Sequence, residues 1–248
     1  MKQILKILSY PFSVLFYLCF GLSLVVFHPL QWIGLNTFGY KGHKVMVDTL
    51  QWCLMRCLNI LGTRFTFTIE GELPKNVPLI IISNHQSMWD IPPVIWKLRN
   101  HHPKFISKKE LGKGIPSVSY NLRNGGSVLI DRKDPIQAME QIVKIARYAS
   151  QFNRSVVIYP EGTRSRDGYP KPWKKRGLDT LIKEMPDGYL LPMSISNSWK
   201  LQRYGMFPLP LGAHLKFIAH PVIKIANHTP EELISMTEKL VIDNISHD

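Results

Sequence analysis

From residue 63 onward the chain alternates short apolar segments with helical ones, and no other feature limits its fold as strongly. Thr229 and Glu232 form a capping-box pattern that begins a final helix. Strands that alternate with helices predict an α/β domain with a largely parallel or mixed sheet, flanked by helices. The strand-like segments lie at 64–69, 77–83, 127–130, 155–159, 190–195 and, more weakly, 215–225, and the helical ones at 136–151 and 178–185.

The N-terminal region has a different character, because residues 8–40 contain no Lys, Arg, Asp or Glu. Its apolar centre, 12–27, would measure about 24 Å as a helix, which is less than the ~30 Å hydrocarbon core of a bilayer. A cleaved signal peptide would need small residues at its cleavage site, but the first alanine of the chain is Ala138. We therefore expect a retained membrane segment, which either spans the bilayer or lies in one leaflet.

A second N-terminal helix is predicted at 44–61, where a narrow polar stripe lies opposite a wide apolar face. Gly62 is placed to end this helix. The apolar face suits either contact with the membrane plane or packing on the domain core. We predict a hydrophobic and amphipathic helical membrane-association region at 1–62 and an α/β domain at 63–248.

The chain is strongly basic, since 31 Lys and Arg residues against 18 Asp and Glu residues give a net charge of +13. This excess favours anionic partners such as nucleic acid, anionic lipid or phosphorylated metabolites, although a solvated basic surface gives the same count. The sequence contains no recognisable nucleic-acid motif. It predicts no metal site either, because Cys53 and Cys57 have no histidine or carboxylate at a suitable spacing.

Residues 83–90 (SNHQSMWD) carry the first candidate site, because a buried strand ends at Ser83 and the chain turns at His85. On a continuous helix His85 and Asp90 would lie about 140° apart and could not touch. If His85 lies in the turn and Asp90 begins the next helix, the carboxylate can reach the imidazole. A histidine oriented by a carboxylate is a general base that can take a proton from a hydroxyl group.

Two further segments that follow strand-like segments supply arginines. Residues 159–165 (YPEGTRS) contain Gly162, which allows close backbone approach, and Thr163 and Arg164, whose side chains suit a phosphate. Arg132 follows another strand-like segment. If these strands are neighbours, their carboxyl ends bring the histidine and both arginines to one edge of the sheet, where α/β sheets bind ligands.

Four blocks stand in order along the chain: NH-x4-D at 84–90, G-x3-IDR at 126–132, YPEGTRS at 159–165 and LPM at 191–193. Together they resemble the 1-acyl-sn-glycerol-3-phosphate acyltransferase (lysophosphatidate acyltransferase) family over about residues 65–200. Two positions depart from the family's pattern: Tyr159 stands where phenylalanine is usual, and Ser119 where glycine is frequent. The resemblance implies a glycerol-3-phosphate acyltransferase-like fold with an N-terminal membrane-docking element.

The resemblance also implies direct transfer without an acyl-enzyme, in which a hydroxyl of the acceptor attacks an acyl thioester. His85 would deprotonate that hydroxyl, Asp90 would orient His85, and backbone N–H groups near the histidine would stabilise the oxyanion. The phosphate of a lysophosphatidate-like acceptor would be bound by Arg132, Glu161, Gly162, Thr163 and Arg164. The acyl or acceptor pocket is expected at Asn84, Lys108, Pro192 and Met193.

The implied donor is acyl-CoA or acyl carrier protein, and we expect no cofactor. Lipid substrates imply a membrane location on the cytoplasmic face, which in bacteria is that of the inner membrane.

The same arginines would suit the carboxylate of an N-acyl amino acid, so another lyso-lipid acceptor stays open. A non-catalytic basic membrane- or nucleic-acid-binding protein is the alternative outside enzymes. A serine hydrolase is disfavoured, because there is no G-x-S-x-G motif and Ser87 lies two residues after His85.

Overall fold

The computed structural model describes residues 2–246, in which a mixed β-sheet is flanked by α-helices, and it confirms the predicted α/β class. The strands are β1 (Arg64–Ile69), β2 (Leu79–Ser83), β3 (Lys104–Lys108), β4 (Val128–Ile130), β5 (Ser155–Ile158), β6 (Tyr189–Ser196), β7 (His214–Ala219) and β8 (Ile223–Lys224). The α-helices are α1 (Lys2–Ile60), α2 (Ile91–Lys97), α3 (Val118–Asn124), α4 (Pro135–Phe152), α5 (Lys175–Glu184) and α6 (Pro230–Asp243).

The strand order is β1-β7-β6-β2-β5-β3-β4, and β8 also pairs with β6. Strands β6, β2, β5, β3 and β4 are parallel, whereas β7 runs antiparallel to β6. The carboxyl ends of β2, β4, β5 and β6 therefore share one edge with the start of β7, and we call it the C-terminal edge. Strand β3 was not predicted from the sequence, because lysines at both of its ends leave only a short apolar centre.

Helix α1 is bent into a hairpin at Gly39, whose backbone is non-helical with φ 62° and ψ −149°. The two limbs approach closely where Gly34 faces Gly42, since a β-carbon on Gly42 would overlap the carbonyl oxygen of Gly34. The second limb contains the helix predicted at 44–61. Gly62 follows it with φ 68°, a left-handed conformation that suits a helix end.

The first limb of α1 has one buried side and one exposed apolar side. Phe16 is fully buried and its ring lies 5.3 Å from that of Trp89, next to the histidine-containing turn. On the opposite side Leu18, Leu22 and Val25 are 66%, 65% and 58% exposed, and we call this side the apolar face of α1. The helix is long and apolar enough to cross a membrane, which fits membrane association. The division at residue 62 stays a prediction.

A buried lysine lies where the second limb of α1 meets the sheet. Lys104 begins β3, is 7% exposed, and has its Nζ 4.8 Å from the centroid of the Tyr40 ring. The Arg154 guanidinium is 3.7 Å from the same ring. Burial, followed by repulsion from Arg154 and Lys44, lowers the pKa of Lys104 to about 7. The charged form of this lysine therefore destabilises the folded state.

Replacing Lys104 with methionine is expected to raise the free energy of unfolding by roughly 2–4 kcal/mol near pH 7, because methionine fills similar space without a charge. From about pH 7 to about pH 9 the unfolded chain holds a proton on Lys104 that the folded chain has released, so wild-type stability rises with pH. Lys104→Met should remove this rise, whereas the exposed Lys97→Met should leave it. Denaturant titrations followed by tryptophan fluorescence at several pH values measure both effects, and an unchanged pH slope in Lys104→Met would contradict the assignment.

Candidate active site

The histidine and aspartate of the first motif meet at the C-terminal edge of the sheet. Strand β2 ends at Ser83, His85 lies in the following turn, and Asp90 closes a short 3-10 helix, Met88–Asp90, that leads into α2. The Nδ1 atom of His85 is 2.8 Å from Oδ2 of Asp90. The turn-and-helix arrangement proposed from the spacing therefore brings the two side chains into contact.

The Asp90 carboxylate is wholly buried and held by several donors. Its Oδ2 accepts hydrogen bonds from the backbone N–H groups of Gln86, at 2.9 Å, and Ser87, at 3.0 Å. Its Oδ1 accepts a hydrogen bond from the hydroxyl of Ser198, which begins the short helix after β6. These contacts replace water around the carboxylate and fix its orientation toward His85.

The imidazole of His85 is fixed on its face as well as at its edge. The Tyr159 ring stacks on it with centroids 4.1 Å apart and planes 17° apart. The backbone carbonyl of His85 accepts a hydrogen bond from the N–H of Ser165 at 2.8 Å, which ties the turn to the loop after β5. With Nδ1 engaged by Asp90, Nε2 is the nitrogen available to exchange a proton with a substrate hydroxyl.

Glu161 was expected from the sequence to bind the phosphate, but its carboxylate contacts the backbone of two loops instead. It is 3% exposed, its Oε1 accepts a hydrogen bond from the N–H of His85 at 2.7 Å, and its Oε2 accepts one from the N–H of Lys171 at 3.0 Å. Burial raises the pKa of Glu161 to about 7, partly offset by these two hydrogen bonds. A carboxylate in this position braces the catalytic turn and would repel a phosphate.

Backbone N–H groups near the histidine were expected to stabilise an oxyanion, and three of those in this turn have other partners. The N–H of His85 is donated to Glu161, and those of Gln86 and Ser87 are donated to Asp90. These groups are already used to hold carboxylates. They are therefore not aimed at a substrate oxygen.

The two arginines lie at the same edge, on one side of His85. Arg164 is in the loop after β5, and Arg132 follows β4. Strand β3 lies between β5 and β4, so the condition that the strands be neighbours is not met for these two. Both side chains are exposed. Partial burial, and secondarily Arg164, lower the pKa of Arg132, whereas Glu110 raises it. Two cations that repel each other form a site suited to a dianionic phosphate.

The loop that carries Arg164 has a fixed backbone. Gly162 adopts φ 70°, a conformation that favours glycine, and the space beside its α-carbon is filled by the Lys174 side chain. The ammonium group of Lys171 donates to the Thr163 hydroxyl at 3.1 Å and to the Arg164 carbonyl at 2.8 Å. Lys171 therefore adds a third cation to this loop, and the sequence analysis did not identify it.

Of the four expected pocket residues, three are buried in the core. The Asn84 amide exchanges two hydrogen bonds with the backbone of Ile195, at 2.8 and 2.7 Å, so it is buried and joins the end of β2 to β6. Pro192 and Met193 lie in the middle of β6, and Met193 is fully buried. Lys108 ends β3 and is exposed at the C-terminal edge.

Two polar residues that hold the site were not found from the sequence. Ser198 is 108 positions from the aspartate it contacts, so no local pattern could reveal it. Gln86 is part of the first motif, but only the fold shows its role. Its side chain accepts a hydrogen bond from the N–H of Ser198 at 3.1 Å and donates one to the carbonyl of Gly168 at 3.3 Å.

A second serine–histidine–carboxylate arrangement does not support hydrolysis. Ser194 Oγ is 2.8 Å from His220 Nε2, and His220 Nδ1 is 2.9 Å from an oxygen of Glu70. Ser194 and His220 are each 1% exposed, and the Ser194 hydroxyl donates to the carbonyl of Val241 at 2.9 Å. A buried hydroxyl that donates to the backbone is a structural group and cannot reach a substrate.

Comparisons with known proteins identify related acyltransferases. The family model described as Acyltransferase matches residues 64–196, more than half of the chain. A 1-acyl-sn-glycerol-3-phosphate acyltransferase from Cocos nucifera is 31% identical over 156 residues, which cover 61% of this chain and 48% of that protein. One from Helicobacter pylori (strain J99 / ATCC 700824) is 37% identical over 134 residues, which cover 53% of each chain. The chain thus spans about half the length of these two relatives.

A solved structure shares the fold over almost the whole chain. The 1-acyl-sn-glycerophosphate (LPA) acyltransferase PlsC from Thermotoga maritima superimposes with a TM-score of 0.78 and covers 98% of this chain and 95% of its own. Its sequence identity to this chain is 23%, so the likeness concerns the fold. The mixed sheet and the long N-terminal helix both fall within the matched region.

Proposed function

The chain belongs to the acyltransferase family, and from this premise we propose that it transfers a fatty acyl group from an acyl thioester to the free hydroxyl of 1-acyl-glycerol 3-phosphate. The product would be phosphatidate, the precursor of phospholipids. The observation that carries the proposal is the His85–Asp90 contact beside exposed arginines on one sheet edge. A base next to a phosphate site suits an acceptor that has a hydroxyl and a phosphate on one glycerol.

The reaction is a direct transfer that needs one proton shuttle. His85 Nε2 accepts the hydroxyl proton as the acceptor oxygen attacks the thioester carbonyl carbon. The tetrahedral intermediate then collapses, the carbon–sulfur bond breaks, and the leaving thiolate takes the proton from His85. Asp90 stabilises the imidazolium that exists between these two proton transfers. The Tyr159 ring, stacked on the imidazole of His85, restricts rotation of the imidazole.

Acceptor binding is assigned to the arginine side of the site. Arg164 and Arg132 would neutralise the phosphate, with Lys171 holding the loop that carries Arg164. Glu161 is a positioning residue, since it acts through the backbone of His85. Binding the phosphate at a fixed distance from His85 turns the hydroxyl toward Nε2, and this orientation supplies much of the rate increase.

We further infer that the protein works at the cytoplasmic face of a membrane, which in a bacterium is the inner membrane. The apolar face of α1 supplies the hydrophobic contact, and the net charge of +13 favours a leaflet that contains anionic lipid. Water-soluble acyl thioesters are made in the cytoplasm, so the donor reaches the site from that side.

The activity is tested with the purified protein and an acyl-CoA, offering lysophosphatidate, glycerol 3-phosphate and a hydroxyl-bearing N-acyl amino acid as acceptors in mixed micelles. Release of free thiol measures turnover. We expect turnover with lysophosphatidate and little with the other two. Faster transfer to the N-acyl amino acid would overturn the proposed acceptor, and thiol release without acylated lipid would indicate thioester hydrolysis instead.

The phosphate site is tested with Arg164→Ala. Loss of a charge-assisted contact to phosphate is expected to raise the KM for lysophosphatidate roughly tenfold or more, with the KM for the donor unchanged. Arg147→Ala is the matched control, since Arg147 forms an exposed ion pair with Glu184 on another face. An unchanged acceptor KM in Arg164→Ala would remove this arginine from the site.

A further inference from the structure

A second basic region lies at the C-terminal edge, on the side of His85 away from the arginines. It is a cleft of about 290 Å³ between the short helix Ser198–Gln202, the loop after it and the start of β7. Lys200, Arg203 and Lys216 line it together with His214, and none of the described lining residues is acidic. We call it the basic cleft. Its cations have no role in the acceptor site described above.

The strand order fixes how the basic cleft and the arginines stand relative to the base. His85 follows β2, the arginines follow β5 and β4 on one side of it, and the basic cleft lies over β6 and β7 on the other side. Strand β7 is two strands from β2, a separation on the order of 10 Å. The base therefore stands between two separate cationic regions at one edge.

The basic cleft is tied directly to the catalytic pair. Ser198 donates its hydroxyl to Asp90 and its N–H to Gln86 at 3.1 Å. The same short helix carries Lys200, and Arg203 follows it with its guanidinium 5.5 Å from the Trp199 ring centroid. A ligand held by these cations therefore has a fixed position relative to His85.

The opposite wall of the cleft is attached to α1. The N–H of Leu209 donates to Ser13 Oγ at 2.8 Å, and the Tyr17 hydroxyl donates to the carbonyl of Met206. The next residues in the chain, from Pro210 onward, line the cleft. A ligand in the cleft would thus lie beside the helix that carries the apolar face.

We propose that the basic cleft binds the phosphorylated nucleotide of acyl-CoA and that acyl-CoA is therefore the donor, an assignment that rests on the proposed function. The phosphates meet the three cations, and the flexible arm places the thioester beside His85. A concave cleft of this size admits a nucleotide but not the convex surface of a carrier protein.

The test compares acyl-CoA with 3′-dephospho-acyl-CoA in wild-type protein and in Arg203→Ala. We expect wild type to prefer acyl-CoA, and Arg203→Ala to raise the KM for acyl-CoA roughly tenfold while the two donors become nearly equal. Arg203→Lys should recover part of the preference, and the acceptor KM should not change. Lys239→Ala, on the exposed side of α6, is the control.

Binding of adenosine 3′,5′-bisphosphate to the whole protein in detergent, by calorimetry, separates this proposal from the proposed function. Wild type and His85→Ala should bind it equally, and Arg203→Ala should bind it about tenfold more weakly. If that pattern holds but no acceptor is acylated, the proposed function is wrong and the cleft remains a nucleotide-phosphate site. Equal use of both donors without nucleotide binding, or an Arg203 effect confined to acyl carrier protein, overturns the cleft assignment.

Discussion

Replacing His85 with alanine is expected to lower the rate of acyl transfer by about 10²–10⁴-fold, because the acceptor hydroxyl loses the base that takes its proton. The KM values for both substrates should change little, since the imidazole acts mainly on the transition state. Asp90 keeps its hydrogen bonds to backbone N–H groups and to Ser198 in the variant, so we expect the turn to keep its shape. Initial rates of thiol release at saturating substrates measure the effect.

The control for this variant is His228→Ala, which removes an exposed histidine next to α6 and should leave the rate unchanged. Circular dichroism and binding to lipid vesicles show whether His85→Ala retains its fold and its membrane contact. Near-wild-type transfer by a folded His85→Ala protein would refute the assigned base. A parallel loss of vesicle binding would show instead that the turn also supports α1, as the packing of Trp89 on Phe16 allows.

The local part of the site could be predicted because it depends on neighbours in the chain. A buried strand that ends at Ser83 and a helix that begins near Asp90 leave only a turn between them, and a turn lets residues five apart meet. The direction in which Glu161 points could not be predicted in this way. Its carboxylate faces inward because the N–H groups of His85 and Lys171 converge on it, and they belong to different loops.

Long-range features were the ones that sequence patterns missed. Ser198 reaches Asp90 because β6 lies next to β2 in the sheet, and this pairing depends on the whole topology. Strand β3 contains a lysine, Lys104, that is buried between aromatic and charged neighbours, whereas lysine is ordinarily a surface residue. The strand separates β5 from β4, so Arg132 lies one strand farther from Arg164 than directly neighbouring strands would place it.

The second large effect is expected when three side chains on the apolar face of α1 are replaced with lysine. Leu18→Lys, Leu22→Lys and Val25→Lys together replace side chains that are 58–66% exposed and that lie on one side of the helix at i, i+4 and i+7. Each apolar side chain buried in lipid contributes roughly 1.5–3 kcal/mol, so losing three should weaken membrane binding by about 10³-fold or more. Flotation of the protein with lipid vesicles measures this binding.

The direction in which vesicle binding changes separates hydrophobic contact from charge attraction. The triple variant is more basic than the wild-type protein, whose net charge is +13, so attraction to anionic lipid alone would strengthen its binding. Ile136→Lys, at a 75% exposed position on α4, is the matched control and should bind vesicles as wild type does. Transfer to a short-chain lysophosphatidate in micelles should persist in the triple variant, because the three side chains lie on the surface and not in the core. Unchanged or stronger vesicle binding would mean that the apolar face of α1 does not contact lipid and that the basic surface holds the protein at the membrane.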